Sequence, residues 1–366
     1  MNSPVRQIRS PVRRERASQY LLILLISFAA SVTLTRLFLQ LTGYPRIGSG
    51  SLHIAHVLWG GLLLFLAALL PLLLANRWAS TLSAVLAGAG TGLFIDEVGK
   101  FITSTNDYFY PPAAPIIYVF FLLTVWVYFQ IRKPPSQDPR AVFYRVLEGL
   151  EEVLDRDLEP SEQAELVHRL QSIIREAKDP DLVRLAGELL HFLESGSATL
   201  TASPPTLLSR ARVWLARWES RAVDRNRLRI ALAGGLATLG SMQVAGLLRL
   251  ILAIHVPAKL EAILADWVFD SHVSSFAALD WFFARLSLEA SVGIILILAA
   301  GMLILRRDKP AVSLATIGLM LSLAAANLLA FYFDQFSTIL PAAIEFLWLV
   351  LILRYRARYL SPSRID

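Results

Sequence analysis

The sequence predicts an all-α fold: a polytopic membrane helical bundle of about eight transmembrane helices with a helical insert. Three observations carry that prediction. Of the residues, 55% are hydrophobic and only 17% are charged, where a soluble globular chain is nearer a quarter charged. Apolar runs of about 20 residues recur, the length that crosses a hydrocarbon core as helix. The arginines and lysines gather at the ends of those runs, where basic residues orient a membrane protein.

Each span can be drawn in turn: 20–42, 52–75, 79–103, 113–131, 228–254, 286–305, 311–333 and 338–354. Residues 1–19, "MNSPVRQIRSPVRRERASQ", form an Arg-rich arm before the first span. The long apolar run that follows reads as an uncleaved span rather than a signal peptide. Arg6, Arg9, Arg13, Arg14 and Arg16 precede span one, and Arg77 lies between spans two and three. Arg132 and Lys133 follow span four, Arg306, Arg307 and Lys309 follow span six, and Arg354, Arg356 and Arg358 follow span eight. All fall on one side if both termini are cytoplasmic. This places 20–132 and 228–358 in the membrane, 359–366 as a cytoplasmic tail, and 256–285 as an outer insert of short interfacial helices.

Residues 133–227 read as a cytoplasmic helical domain. "DPRAVFYRVLEGLEEVLDRDLEP", "SEQAELVHRLQSIIREAKD" and "PDLVRLAGELLHFLES" repeat apolar residues at helical spacing, with Pro160 and Pro180 at helix starts. "TLLSRARVWLARWESRAVDRNR" then carries Trp214, Trp218 and arginines that suit either an interfacial amphipathic helix or a connector packed beneath the bundle.

The composition excludes several classes. The net charge of +6 is spent on span ends, so no nucleic-acid partner is expected. The absence of cysteine excludes disulfides, thiolate metal sites and cysteine nucleophiles. Spans one to four and five to eight also resemble each other. "RLFLQLTGYP" matches "RLILAIHVP", His56 to Gly60 is spaced like Glu289 to Gly293, and "LAGAGTGL" from Leu86 matches "LATIGLML" from Leu314. Two parallel four-helix repeats are expected from this, with Asp96 and Glu97 opposite Ala324 and Ala325.

Ionisable groups inside a bilayer are costly and point to function. Arg36, His53, His56, Asp96, Glu97, Lys100, Arg249 and Glu289 fall near the outer ends of their spans, with Asn327 nearby. Asp96 lies about 10 Å in, at 1.5 Å per residue. Asp96 and Glu97 lie four and three residues before Lys100, so both can reach it on a helix. Three cations (Arg36, Lys100, Arg249) balance three acids (Asp96, Glu97, Glu289), so the layer can equally be glue between helices. His53 and His56 share a helical face, and with Asp96 they can chelate a divalent metal. The same histidines can instead handle protons or bond a headgroup. In "TSTNDYFYPP" the aromatic residues suit an outer belt, while Asn106 and Asp107 can cap a helix or fold over the layer.

"LHIAHVLWGGLLL" and "GLFIDEVGKFITSTNDYFYPPAAPIIY" resemble an actinobacterial-type family of multi-pass bacterial membrane proteins that carry both stretches nearly unchanged, over about residues 30–125. The resemblance implies a bacterial cytoplasmic (inner) membrane and is silent on reaction and ligand. The last span, "EFLWLVLILRYRAR", lacks the HxxxH expected of the seven-span metal hydrolases that include alkaline ceramidases. The expectation is an outward-facing intramembrane site that binds an ion, a metal or an anionic, lipid-linked ligand. An ion- or proton-coupled transporter and a membrane sensor or assembly protein signalling to 133–227 are the alternatives. Inner halves such as "FLWLVLIL" offer no polar path, which weighs against a carrier.

Overall fold

A computed structural model describes residues 11–43, 55–105, 107, 110–133, 136–156, 158–195, 224–253 and 276–360. Among them there is no strand. The helices are α1 (Ala17–Thr42), α2 (His56–Leu73), α3 (Arg77–Ile95), α4 (Val98–Ile102) and α5 (Ala113–Ile131), then α6 (Pro139–Leu154), α7 (Pro160–Glu176) and α8 (Pro180–Glu194). They continue with α9 (Arg225–Ala253), α10 (Phe276–Ile304) and α11 (Asp308–Leu321). A π-turn, Ser322–Ala326, leads into α12 (Asn327–Asp334), and a 3-10 turn, Gln335–Thr338, leads into α13 (Ile339–Tyr359). The segment carrying Trp214 and Trp218, and the outer insert as far as residue 275, lie outside the described residues. From Phe276 the chain is already in α10, so that helix starts before the expected boundary at 286.

Seven helical stretches among the described residues are long and apolar enough to cross a membrane, by length and composition. Eight are expected from the sequence, and the difference lies in the last stretch. Asp308–Tyr359 has 52 residues, about twice what one crossing needs at 1.5 Å per residue. It turns back at Gln335, whose φ of +49° ends α12, and α13 then packs along α11. The expected spans 311–333 and 338–354 are thus two limbs of one helical stretch.

Contacts divide the chain into two compact units: residues 1–27, 65–88 and 124–212, and residues 28–64, 89–123 and 213–366. In the first, α6, α7 and α8 pack around Val146, Leu158, Leu170, Ile173, Ala186 and Leu193. Proline opens each of the three helices, where its missing N–H costs nothing. Asp138 and Asp179 cap α6 and α8 with their carboxylates. The Arg-rich arm is bound to this unit by side chains. Arg13 donates to the Ile131 and Lys133 carbonyls at the end of α5, Glu15 holds Arg169 bidentately at 2.8 Å, and Arg16 and Arg77 meet on Glu152.

In the second unit, α9, α10, α11 and α13 enclose a core of Leu232, Leu236, Val292, Leu296, Leu303, Leu319, Ile352 and Tyr355. The α10–α11 hairpin closes with a Schellman pattern, Arg307 N–H to Met302 O and Arg306 N–H to Leu303 O, with Arg306 at φ +60°. Buried Asp308 accepts from Tyr355 Oη and from Arg225, both at 2.8 Å, and so joins α9, α11 and α13.

The sequence repeat has structural counterparts within this unit. A Cβ on Gly90 would meet Leu63 at 3.0 Å, and one on the matching Gly318 would meet the matching Leu296 at 3.0 Å. The third span of each half also departs from α-helix at the same place. α3 stops at Ile95 before Asp96 and Glu97, while the π-turn Ser322–Ala326 contains their partners Ala324 and Ala325. The halves differ in how the second span of each is approached. α2 and α3 approach through Gly60 and Gly90, whereas α9 and α10 approach through Gly240 and Gly293.

Gly90→Leu is expected to destabilise the protein by about 1–3 kcal/mol through overpacking, read as a lower unfolding midpoint in detergent. Gly61→Ala adds a methyl where nothing lies within 4 Å and should leave that midpoint in place.

Candidate functional site

The expected span 79–103 is interrupted where its acids sit. α3 ends at Ile95, Asp96 and Glu97 form a turn, and the five-residue α4 resumes at Val98. A helix interrupted among apolar neighbours frees backbone groups that must find partners. Arg36 of α1 supplies one: its Nη2 donates to the Asp96 carbonyl at 3.1 Å while its Nε donates to Asp96 Oδ1 at 2.6 Å. Asp96 is 0% and Arg36 6% exposed, so this is a buried ion pair. The guanidinium also lies 3.6 Å from the centroid of the Phe336 ring, in the turn between α12 and α13.

His56, the first residue of α2, faces the same turn. Its Nδ1 lies 3.1 Å from the Leu93 carbonyl, and its Nε2 lies 3.4 Å from Asp96 Oδ2 and 3.3 Å from Glu97 Oε1. A carbonyl only accepts, so Nδ1 is the donor in that contact and carries a proton. Nε2 then faces two carboxylate oxygens. A bare lone pair there would meet two acceptors, whereas a proton or another cation on Nε2 turns both contacts attractive. Glu97, 1% exposed, also binds Lys100 Nζ through Oε1 at 2.9 Å. Its second oxygen, Oε2, is buried and has no hydrogen-bond partner.

The structure thus gathers Arg36, His56, Asp96, Glu97 and Lys100 into one centre. It divides the lysine contact that spacing alone allowed to both acids: Glu97 takes Lys100, and Asp96 turns to Arg36. The interruption after Ile95 is the reason, since it removes the regular i,i+4 geometry. His53 and Asn106 lie outside the described residues. Asp107 sits in an exposed turn with its N–H bonded to Thr103 Oγ1 at 2.7 Å. Arg249 is exposed on α9. Glu289 pairs with Arg285 at 2.7 Å, and Arg285 also grips Asp334 through two hydrogen bonds of 2.9 and 2.5 Å. The three-against-three balance read from the sequence is therefore spread over separate places. Among the described residues no group of three or more His, Asp or Glu is disposed to hold a metal ion.

Sequence reasoning passed over Arg285, Asp334, Asp308 and Glu345. Arg285 was assigned to the outer insert, although its i,i+4 spacing to Glu289 was legible. Glu345 is 5% exposed on α13 and takes its partners from α9 and α12, which no local spacing indicates. The signal available was the acid itself, alone in an apolar span.

An apolar cavity of about 620 Å³ adjoins the centre, lined by Val57, Leu58, Gly61, Phe94, Ile95, Val98 and Phe101. Comparison with protein-family models, curated proteins and solved structures finds no match, so what the centre does chemically must be judged from its own geometry.

Truncating Asp96 to Ala leaves Arg36 buried without its counter-charge and is expected to cost about 3–5 kcal/mol. Replacing both, Arg36→Leu with Asp96→Leu, should recover most of that loss. A double-mutant cycle on thermal unfolding reads the coupling, and additivity of the two single variants would show that the pair contributes nothing.

Proposed function

We propose that this chain is a polytopic membrane protein whose α2–α4 centre binds a cation, in the first instance a proton, at His56 Nε2 between Asp96 and Glu97. One observation carries the reading: an imidazole nitrogen aimed at two buried carboxylates, one of which keeps an unpartnered oxygen. An anion is poorly served there, since Arg36 and Lys100 already sit on the acids. With two acids and two fixed cations the centre sums to zero, and a bound proton makes it cationic. The unpartnered Glu97 oxygen supports a site that takes up a cation over inert glue between helices.

The remaining features of this reading come from the sequence. Its basic residues support both termini inside with the centre toward the outer face, and the resemblance of its two motifs supports a bacterial cytoplasmic membrane. Membership of the actinobacterial-type family rests on the two motifs. The apolar cavity favours a second reading, in which a lipid-linked ligand lays its chain against Phe94 and Phe101 and its anionic head against Lys100. Lys100 retains 25% side-chain exposure for that contact.

Nitrogen-15 NMR of histidine-labelled protein, with elemental analysis of the same sample, tests the cation. The wild type is expected to show His56 doubly protonated at neutral pH, and Asp96→Asn with Glu97→Gln should return it to a neutral ring. A neutral ring in the wild type together with a stoichiometric metal would replace the proton by that metal. A neutral ring without metal would overturn the reading.

Orientation is open to a direct check, because the chain has no cysteine of its own. Ser104→Cys in intact cells is expected to react with a membrane-impermeant maleimide, and Ser161→Cys only after lysis. The reverse pattern would invert the topology.

A further inference from the structure

The π-turn Ser322–Ala326 is the second half's counterpart of the Asp96–Glu97 turn, and it too has a buried acid beside it. A π-turn leaves a backbone carbonyl without its usual helical partner, and such turns gather at functional sites. Here Asn327 N–H reaches back to Ser322 O, and Leu323 O accepts from Tyr118 Oη of α5 at 2.6 Å. Glu345 of α13 lies against the turn. Its Oε2 accepts from Asn327 Nδ2 at 2.7 Å and its Oε1 from Gln243 Nε2 at 2.8 Å. Gln243 Nε2 also donates to Ser322 Oγ at 3.0 Å. The partners of this carboxyl are the Asn327 and Gln243 amides and the Ser322 hydroxyl, and no ion pair to it forms among the described residues. The titratable groups that face it are Tyr118, committed to Leu323 O, and Glu289 of α10, which is itself an acid held by Arg285.

A carboxylate at 5% exposure without a counter-cation carries a desolvation cost that hydrogen bonds from neutral groups alone do not offset. A second observation points the same way. Gln243 Oε1 is buried and has no partner, although its own Nε2 serves two acceptors. An amide turned over exchanges those roles. The oxygen would then face Glu345 Oε1 and Ser322 Oγ, where it can accept from a protonated Glu345 or, with both oxygens, coordinate a small cation. Either occupant neutralises the acid and satisfies the orphan oxygen at once.

We propose that Glu345, Gln243, Ser322 and Asn327 form a second cation site, built on the π-turn, that takes a proton or a sodium ion. The site stands on its own geometry and does not require the His56 centre to be occupied.

Infrared spectroscopy of the full chain in nanodiscs, with carbon-13 glutamate to identify the band, tests this. Wild-type protein at neutral pH without sodium is expected to show the carbonyl stretch of a buried, protonated glutamic acid. That band should vanish in Glu345→Gln and persist in Glu97→Gln. Disappearance on adding sodium chloride, with potassium chloride inert, identifies sodium as the occupant. A band indifferent to sodium but lost on raising pH identifies the proton. Gln243→Leu, which removes the orphan oxygen and leaves the acid, should weaken sodium binding about tenfold or, for a proton, shift the pH at which the band is lost. Absence of the band at neutral pH in the sodium-free wild type overturns the proposal, as does a band unchanged in Glu345→Gln. If Glu345→Gln does not fold, the labelled wild-type band and the Gln243→Leu titration still decide.

Discussion

A charge enclosed among apolar helices must be met by another charge or by several hydrogen bonds, and the Arg36–Asp96 pair is where this protein meets that requirement most completely. One guanidinium neutralises Asp96, occupies the carbonyl freed where α3 stops, and covers the Phe336 ring. Three elements, α1, the α3–α4 turn and the α12–α13 turn, therefore converge on a single side chain. The pair's own net contribution is small, because desolvation consumes most of its attraction. Its structural effect is large, since either residue alone is far worse than neither. The turn at Gln335 is held from a second direction by the same logic, with Arg285 forked onto Asp334 beside Phe282 and Phe333.

The two halves meet this constraint differently at one shared position. In the first, the third span is cut outright, and the residues at the cut are acids whose partners are cations and a histidine. In the second, the helix is only widened into a π-turn, the matching residues are alanines, and the acid arrives from the next helix with amides around it. An α-helix that must turn aside exposes backbone groups in either case. Arg36 serves them in the first half and Tyr118 in the second. What the two positions share is the deformation, while acids sit at the first and alanines at the second.

Much of the fold was legible because it depends on composition and period. Apolar run length located the helices, and proline marked the starts of α7 and α8. The break between the last two spans was legible between residues 333 and 338, but its form was not, because a positive φ at a glutamine has no sequence signature. At the site, Arg36, His56, Asp96, Glu97 and Lys100 could be nominated from their common depth. Their pairing could not, since it depends on where α3 stops. Glu289, expected in the layer from its depth, is half-buried and takes its partner, Arg285, from its own helix. Glu345 shows the limit of spacing arguments: every group that holds it lies on another helix, far away in sequence.

The two proposed sites can be distinguished by charge alone. At the α2–α4 centre, two acids face two cations before any ligand arrives, so a bound proton leaves a net positive charge in low dielectric. At the π-turn the only formal charge among the four residues is Glu345, so a proton or sodium ion leaves the site neutral. The two proposed sites thus differ in what a cation does to their charge: it would make the α2–α4 centre positive and the π-turn site neutral.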